Sequence, residues 1–149
     1  MKVMLISCIT LLFMSVTHWE PDFTTAAKKA RDNNKVLLLN FSGSDWCIPC
    51  IRMHKEIFGT AQFGDLSDSL LILYNADFPR KKKNELPSLL RQQNDSLAAT
   101  YNPEGKFPLT LLLSPDGKVL GRWEGYPEGG AAAFSSSIKK IAHAYYHQQ

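Results

Sequence analysis

The run Val36-Leu37-Leu38-Leu39-Asn40-Phe41 constrains the fold more than any other stretch of this chain. It is apolar almost throughout and does not alternate, so a strand built from it is covered on both faces. The surrounding pattern supplies the covers. Phe23, Ala26, Ala27 and Ala30 recur at helical spacing behind Asp22, a candidate N-cap. Residues 47–58 read as a helix with Cys50, Met53 or His54, and Ile57 on one face. Residues 70–74 predict a second buried strand, and 86–101 a further helix. Residues 109–113 and 118–123 read as strands joined by the turn sequence Ser114-Pro115-Asp116-Gly117, an antiparallel hairpin. Phe134, Ile138, Ile141 and Tyr145 then place an apolar stripe on a closing helix. The order α-β-α-β-α-β-β-α predicts an α/β fold, a mixed four-stranded sheet with helices on both faces.

The chain has 149 residues, the size of one domain with its own core, and no linker interrupts it. Its formal charge is only +3. The basic run Arg80-Lys81-Lys82-Lys83 lies between Pro79 and Pro87 and reads as a solvated loop. A nucleic-acid partner is not expected, because such a surface needs a broader basic face with stacking aromatics.

The first residues are a separate matter. Lys2 precedes an apolar run from Val3 to Val16, and Ser15 and Thr17 offer small residues before His18. This is the layout of a secretory signal peptide, too short for a comfortable membrane span. The expected division is a signal peptide over 1–17 and one domain over 18–149, in a periplasmic or secreted protein without stable membrane insertion. Leu5-Ile6-Ser7-Cys8 has the form of a lipoprotein box, but the apolar run continues past Cys8, which disfavours lipidation. An uncleaved N-terminal anchor is the other alternative. Cleavage would remove Cys8 and leave only Cys47 and Cys50.

Three readings compete for that pair. A structural zinc site takes four ligands, and the chain has no second Cys-x-x-Cys. An inert disulfide across so small a ring gains little from loop closure. The redox reading has a mechanism. Cys47 falls at a helix start, where unpaired N–H groups and the dipole favour a thiolate. Cys50, one turn further and expected to lie deeper, can resolve a mixed disulfide formed by Cys47. Trp46 can shield the site, and Pro49 is tolerated in a first helical turn.

The sequence Phe41-Ser42-Gly43-Ser44-Asp45-Trp46-Cys47-Ile48-Pro49-Cys50 resembles the active site of the thioredoxin superfamily, in its exported thioredoxin-like branch. A more distant likeness is to the C-terminal domain of the transmembrane thiol:disulfide interchange reductase. Phe107-Pro108-Leu109-Thr110 before a hairpin matches the place of that family's cis-proline loop. The resemblance implies a thioredoxin-like fold and a protein-disulfide oxidoreductase, leaning toward reduction. It implies Cys47 as nucleophile and Cys50 as resolving thiol. Trp46, Phe107 and Pro108 would contact the substrate chain, and Pro49 would shape the site. A trans proline starting an ordinary strand is the alternative at Pro108. The implied partners are protein thiols or disulfides and an unidentified electron donor. No cofactor and no metal are expected, and the chain is expected to be a monomer. A thioredoxin-fold binding module with an idle disulfide is the rival function.

Two departures matter. The family's buried aspartate has Asn40 as its nearest equivalent, and an amide cannot take a proton. Asp45 and Glu56 are the carboxylates left as candidates. The path from Phe78 to Tyr101 is also longer than in thioredoxin and reads as an added partner surface. His54, Trp123, Tyr145 and Tyr146 read as structural residues.

Overall fold

The computed structural model describes residues 17–148. The expected leader, apart from Thr17, and Cys8 lie outside the described residues. The elements run α1 (Phe23–Asp32), β1 (Val36–Ser42), α2 (Ile48–Met53), a π-helical turn (His54–Phe58) and α3 (Ala61–Leu70). They continue with β2 (Leu71–Asp77), a short 3-10 turn (Lys82–Asn84), α4 (Ser88–Tyr101), β3 (Leu109–Leu113), β4 (Val119–Glu124) and α5 (Gly130–Tyr146). The sheet order is β2-β1-β3-β4, with β1 parallel to β2 and antiparallel to β3, and β4 antiparallel to β3. This is the expected mixed sheet.

All seven residues of β1 are buried, and the helices divide its two faces. Leu37, Leu39 and Phe41 share a cluster with Ala26 and Ala30 of α1 and Leu97 of α4. Val36 and Leu38 meet Met53, Phe63, Phe134 and Ile138 from α2, α3 and α5. Each leucine buried this way contributes roughly 1.5–3 kcal/mol. Two helical layers therefore fix the height and direction of β1, and with them the loop that leaves its C-terminal end. Trp123 stands edge-on to Phe134 at 5.2 Å, and the Tyr146 hydroxyl accepts the Val36 N–H at 3.0 Å. Both fill the structural places expected of them.

One helix escaped the pattern. The stretch before β2 forms α3, whose buried residues are Phe63, Gly64, Leu66 and Ser67. Two of these four are not large apolar residues, so the helical stripe is faint in sequence. Its boundary is set locally. Thr60 caps it by accepting the Phe63 N–H, and a Cβ on Gly59 would lie 2.9 Å from the Lys55 carbonyl oxygen. The strand accordingly begins at Leu71, one residue later than expected, and α4 begins at Ser88, just past Pro87.

The chain is also ordered ahead of α1. Trp19 forms a parallel bridge to Leu73, and the Glu20 N–H donates to the Leu73 carbonyl at 2.9 Å. The buried Glu20 carboxylate accepts from Lys29 Nζ at 2.8 Å on both oxygens. Among the described residues no helix is long and apolar enough to cross a membrane.

Candidate active site

A tight turn follows β1 and delivers Cys47 to the start of α2. The Cys47 N–H donates to the Gly43 carbonyl at 2.9 Å, and the Cys47 carbonyl accepts the Ile51 N–H at 3.1 Å. Cys47 is the N-cap: its Sγ accepts the Cys50 N–H at 3.3 Å. The two cysteines form a disulfide, with Cα atoms 5.2 Å apart. Pro49 occupies the first turn of α2, where a missing N–H leaves no bond unmade. In this disulfide-bonded state exposure does not separate the sulfurs as expected: Cys47 is 5% exposed and Cys50 3%. The exposed groups are their neighbours Ile48 and Ile51, which give the site an apolar collar.

Trp46 is held from four sides. Its Nε1–H donates to the Phe78 carbonyl at 2.7 Å, and its ring meets Phe107 edge-on at 5.4 Å. The Arg80 guanidinium lies over the indole at 3.7 Å from a ring centroid. Beneath, a Cβ on Gly43 would stand 2.3 Å from the indole, so only glycine leaves room for this ring. Phe78 completes the aromatic set, edge-on to Phe107 at 5.5 Å. The Phe107–Pro108 peptide is cis, as the resemblance implied. Pro108 is buried, and its carbonyl accepts the Gly125 N–H at 2.8 Å. The structure thus brings Trp46, Phe107 and the Cys47 turn together around β1.

The basic run is exposed to solvent, as expected, but its backbone is fastened. The Asp45 carboxylate accepts the backbone N–H groups of Arg80 and Lys81 and the Asn84 amide, each at 2.9 Å. The Arg80 N–H, more than any other partner, holds the Asp45 carboxyl below its ordinary range. Ser44 makes a parallel tie, donating its N–H and hydroxyl to Asp77 at 2.8 and 2.5 Å. The turn before Cys47 and the loop after β2 are therefore one hydrogen-bonded unit. Phe78, Arg80 and Asp77 belong to the site, and pattern reading missed them. Their signal was available only as a pairing: acceptors at 45 and 77 set against a proline-flanked run rich in backbone donors.

Below the cysteines lies a buried amide strip. Asn40 Nδ2 donates to Asn75 Oδ1 at 2.8 Å, and the Thr110 hydroxyl donates to Asn40 Oδ1 at 2.9 Å. Each lies two positions along its strand from Leu38, Leu73 or Leu112 and so shares their face, toward the layer that holds α2. The two carboxylates proposed as substitutes are engaged elsewhere. Glu56 accepts from Arg52 at 3.2 Å and from the Tyr126 hydroxyl at 2.9 Å, and these bonds, Arg52 foremost, hold its carboxyl low. A carboxylate stabilised as the anion is a weaker proton acceptor. Among the described residues no carboxylate hydrogen-bonds either sulfur, and none form a cluster suited to a metal. His54 is exposed on the helix, against the Trp19 ring at 5.9 Å.

Residues 23–142 match the family described as "Thioredoxin-like domain". This chain belongs to the thioredoxin-like family. The disulfide bond reductase DsbH of Chlamydia pneumoniae is 36% identical to it over 122 residues, covering 82% of this chain and 70% of that protein. The thioredoxin-related protein DsbJ of the same organism is 27% identical over 104 residues, which is 70% of this chain but 29% of DsbJ. Among solved structures, a DsbH oxidoreductase superposes with a TM-score of 0.77 at 33% identity, over 85% of this chain and 84% of the other. The C-terminal domain of Neisseria meningitidis DsbD matches with a TM-score of 0.56 at 16% identity, over 80% and 91% of the two chains, a likeness of fold alone. This thioredoxin-like chain is a protein-disulfide oxidoreductase whose Cys47–Cys50 pair is present as a disulfide.

Proposed function

We propose that this chain is an exported reductase of protein disulfides, in which Cys47 attacks and Cys50 resolves. The observation that carries the reading is the Cys47–Cys50 bond at the N-cap of α2, in a chain 36% identical to a named disulfide bond reductase. In the reduced chain, the Cys47 thiolate attacks one sulfur of a client disulfide and expels the other as a thiolate. The Cys50 thiolate then attacks Cys47 Sγ and expels the second client thiolate. Two electrons pass to the client, and the chain ends in the disulfide-bonded state seen here. A dithiol donor must return it to the reduced form.

Position separates the roles. Cys47 Sγ faces the Cys50 N–H at the helix start, an arrangement that favours its anion. Cys50 lies inside the first turn, behind the exposed Ile48-Pro49 step. Trp46, Phe107 and Pro108 border the approach and hold the client chain, with Pro49 shaping the turn between the sulfurs. Asn40 takes no proton, so water accepts the Cys50 proton in this reading. Residues 1–17 serve as the export signal and 18–149 as the working domain, a monomer acting in the periplasm or outside the cell.

The test uses the full chain, insulin and dithiothreitol. The wild type should accelerate insulin precipitation. Cys50→Ser should accumulate mixed disulfides through Cys47, and Cys47→Ser should not. Equal trapping by the two variants would reverse or remove the role assignment. A potential near that of oxidising members of the fold, rather than toward about −270 mV, would sink the reducing direction.

A further inference from the structure

We propose that the loop carrying Arg80, Lys81, Lys82 and Lys83 docks an acidic stretch on one side of the reacting cysteine of a client protein. The proposal rests on the reductase reading and adds the class of client. Four consecutive cations stand in one segment of a chain whose total is +3. Lys81, Lys82 and Lys83 are exposed and make no ion pair among the described residues. Elsewhere half of the described cations, Lys28, Lys29, Arg52, Arg91, Lys106 and Arg122, each meet a carboxylate within 3.9 Å, and the other half are scattered, with no four of them consecutive.

The free cations are also held in place. Asp45 fixes the loop through backbone N–H groups, so no lysine side chain is hydrogen-bonded to that carboxylate, although the charge of Lys81 acts on it. The surface is continuous with the reactive pair. An open groove bordered by Trp46, Phe78, Arg80 and Phe107 leads away from the Cys47 turn. Past Arg80 it meets a cavity of about 410 Å³ lined by Lys81, Lys82, Leu86 and Arg91. The lining sets the cations Arg80, Lys81, Lys82 and Arg91 against Asp77, Glu85 and Asp95, so positive charge is in excess there, and Lys83 follows in the same run. A client seated beside Cys47 and running toward Arg80 therefore meets an excess of positive charge on that side. Complementary charge at such a rim acts chiefly on association rate and weakens with salt.

The experiment measures binding apart from chemistry. Fluorescent peptides carry serine in place of the reacting cysteine, with a glutamate run on its N-terminal side, on its C-terminal side, or replaced by glutamine. Anisotropy against the full oxidised chain should show one acidic peptide binding about tenfold tighter than the glutamine peptide at low salt. That advantage should shrink as salt rises, and K81E/K82E/K83E should invert the order. Equal affinity for all three peptides would overturn the proposal. So would equal affinity for the two acidic peptides, which means undirected attraction, or a preference that survives in the triple variant. In parallel, a version of the glutamine peptide that keeps its cysteine is offered as a disulfide-linked dimer, with dithiothreitol as the donor and its uncatalysed rate subtracted. Failure to reduce it would count against the reductase reading alone, while the binding series still decides the docking site.

Discussion

Two loops flank the disulfide, and they are held in opposite ways. On one side, residues 77–87 are fastened through backbone: Asp45 takes two N–H groups and an amide, and Trp46 donates to a carbonyl. On the other, residues 124–130 have one backbone bond outside the strands and helices, from the Gly125 N–H to the Pro108 carbonyl, and otherwise rely on side chains. Arg52 pairs with Glu56 and lies over the Tyr126 ring at 4.6 Å, and Tyr126 donates to the same carboxylate. The second flank pairs Arg52 with Glu56 at the contact itself. The first uses backbone donors to answer a carboxylate and leaves its lysines facing water. Peptide groups that do the fastening leave the side-chain charges of their own residues available.

The strongest way to break the contrast is to remove what both flanks lean on. Gly43→Ala would drive a methyl into the indole, at 2.3–2.6 Å from three of its atoms. We expect a loss toward the upper end of about 1–3 kcal/mol for such overpacking. Insulin reduction should fall about 10- to 100-fold as Trp46 leaves the cysteine turn. Wild-type turnover together with an unchanged Trp46 environment in fluorescence would refute the packing argument.

Asn40→Ala tests the strip beneath both flanks. It leaves Asn75 Oδ1 and the Thr110 hydroxyl without their buried partner, which should cost about 1–3 kcal/mol in urea denaturation. A neutral result would mean the strip contributes nothing to the frame.

Asp45→Ala should loosen one flank alone. Amide exchange at Arg80 and Lys81 should speed up while Gly125 stays protected. Acid should act the same way, with a definite sign. Hydrogen bonding lowers the folded-state pKa of Asp45 below the ordinary 3.8. Its contribution is therefore complete above the unfolded value and disappears as pH falls through the lower, folded one. Protection of those two amides that is already lost above pH 4 would contradict this. The smallest effect belongs to Tyr126→Phe. An exposed side-chain tie of this kind should leave the denaturation midpoint almost unmoved, and a large drop would make the second flank the stronger one.

Much of this was legible beforehand, for reasons that can be named. The unbroken run around Leu38 announced a doubly covered strand, and Cys47 to Cys50 after it announced a cysteine pair at a helix start, now seen as a disulfide at the N-cap of α2. The prolines of the site were legible through family likeness rather than through physics. What stayed hidden was of two kinds. Helix α3 buries Gly64 and Ser67, which no hydrophobic period registers. The Asp45 tie joins residues 35 or more positions apart through backbone N–H groups, which every residue but proline carries. A sequence marks an acceptor but not which peptide it will hold. Arg80 was therefore read as solvated, which it is, while its place over Trp46 stayed hidden.

The bridge from Trp19 to Leu73 bears on how this sheet meets other chains. β2 is an outer strand, and an outer strand offers unpaired peptide groups on which a second sheet can grow. Residues 19–20 occupy part of that row, with the Glu20–Lys29 pair anchoring them. The opposite border, β4, is short and carries Arg122 and Glu124 joined at 2.9 Å, charges that discourage strand addition. A chain shortened to begin at Asp22 would bare the β2 border beside the apolar Leu71 and Leu73. Such a fragment should keep its cysteines and yet clump, because resistance to sheet-to-sheet growth resides in two residues that precede the first helix.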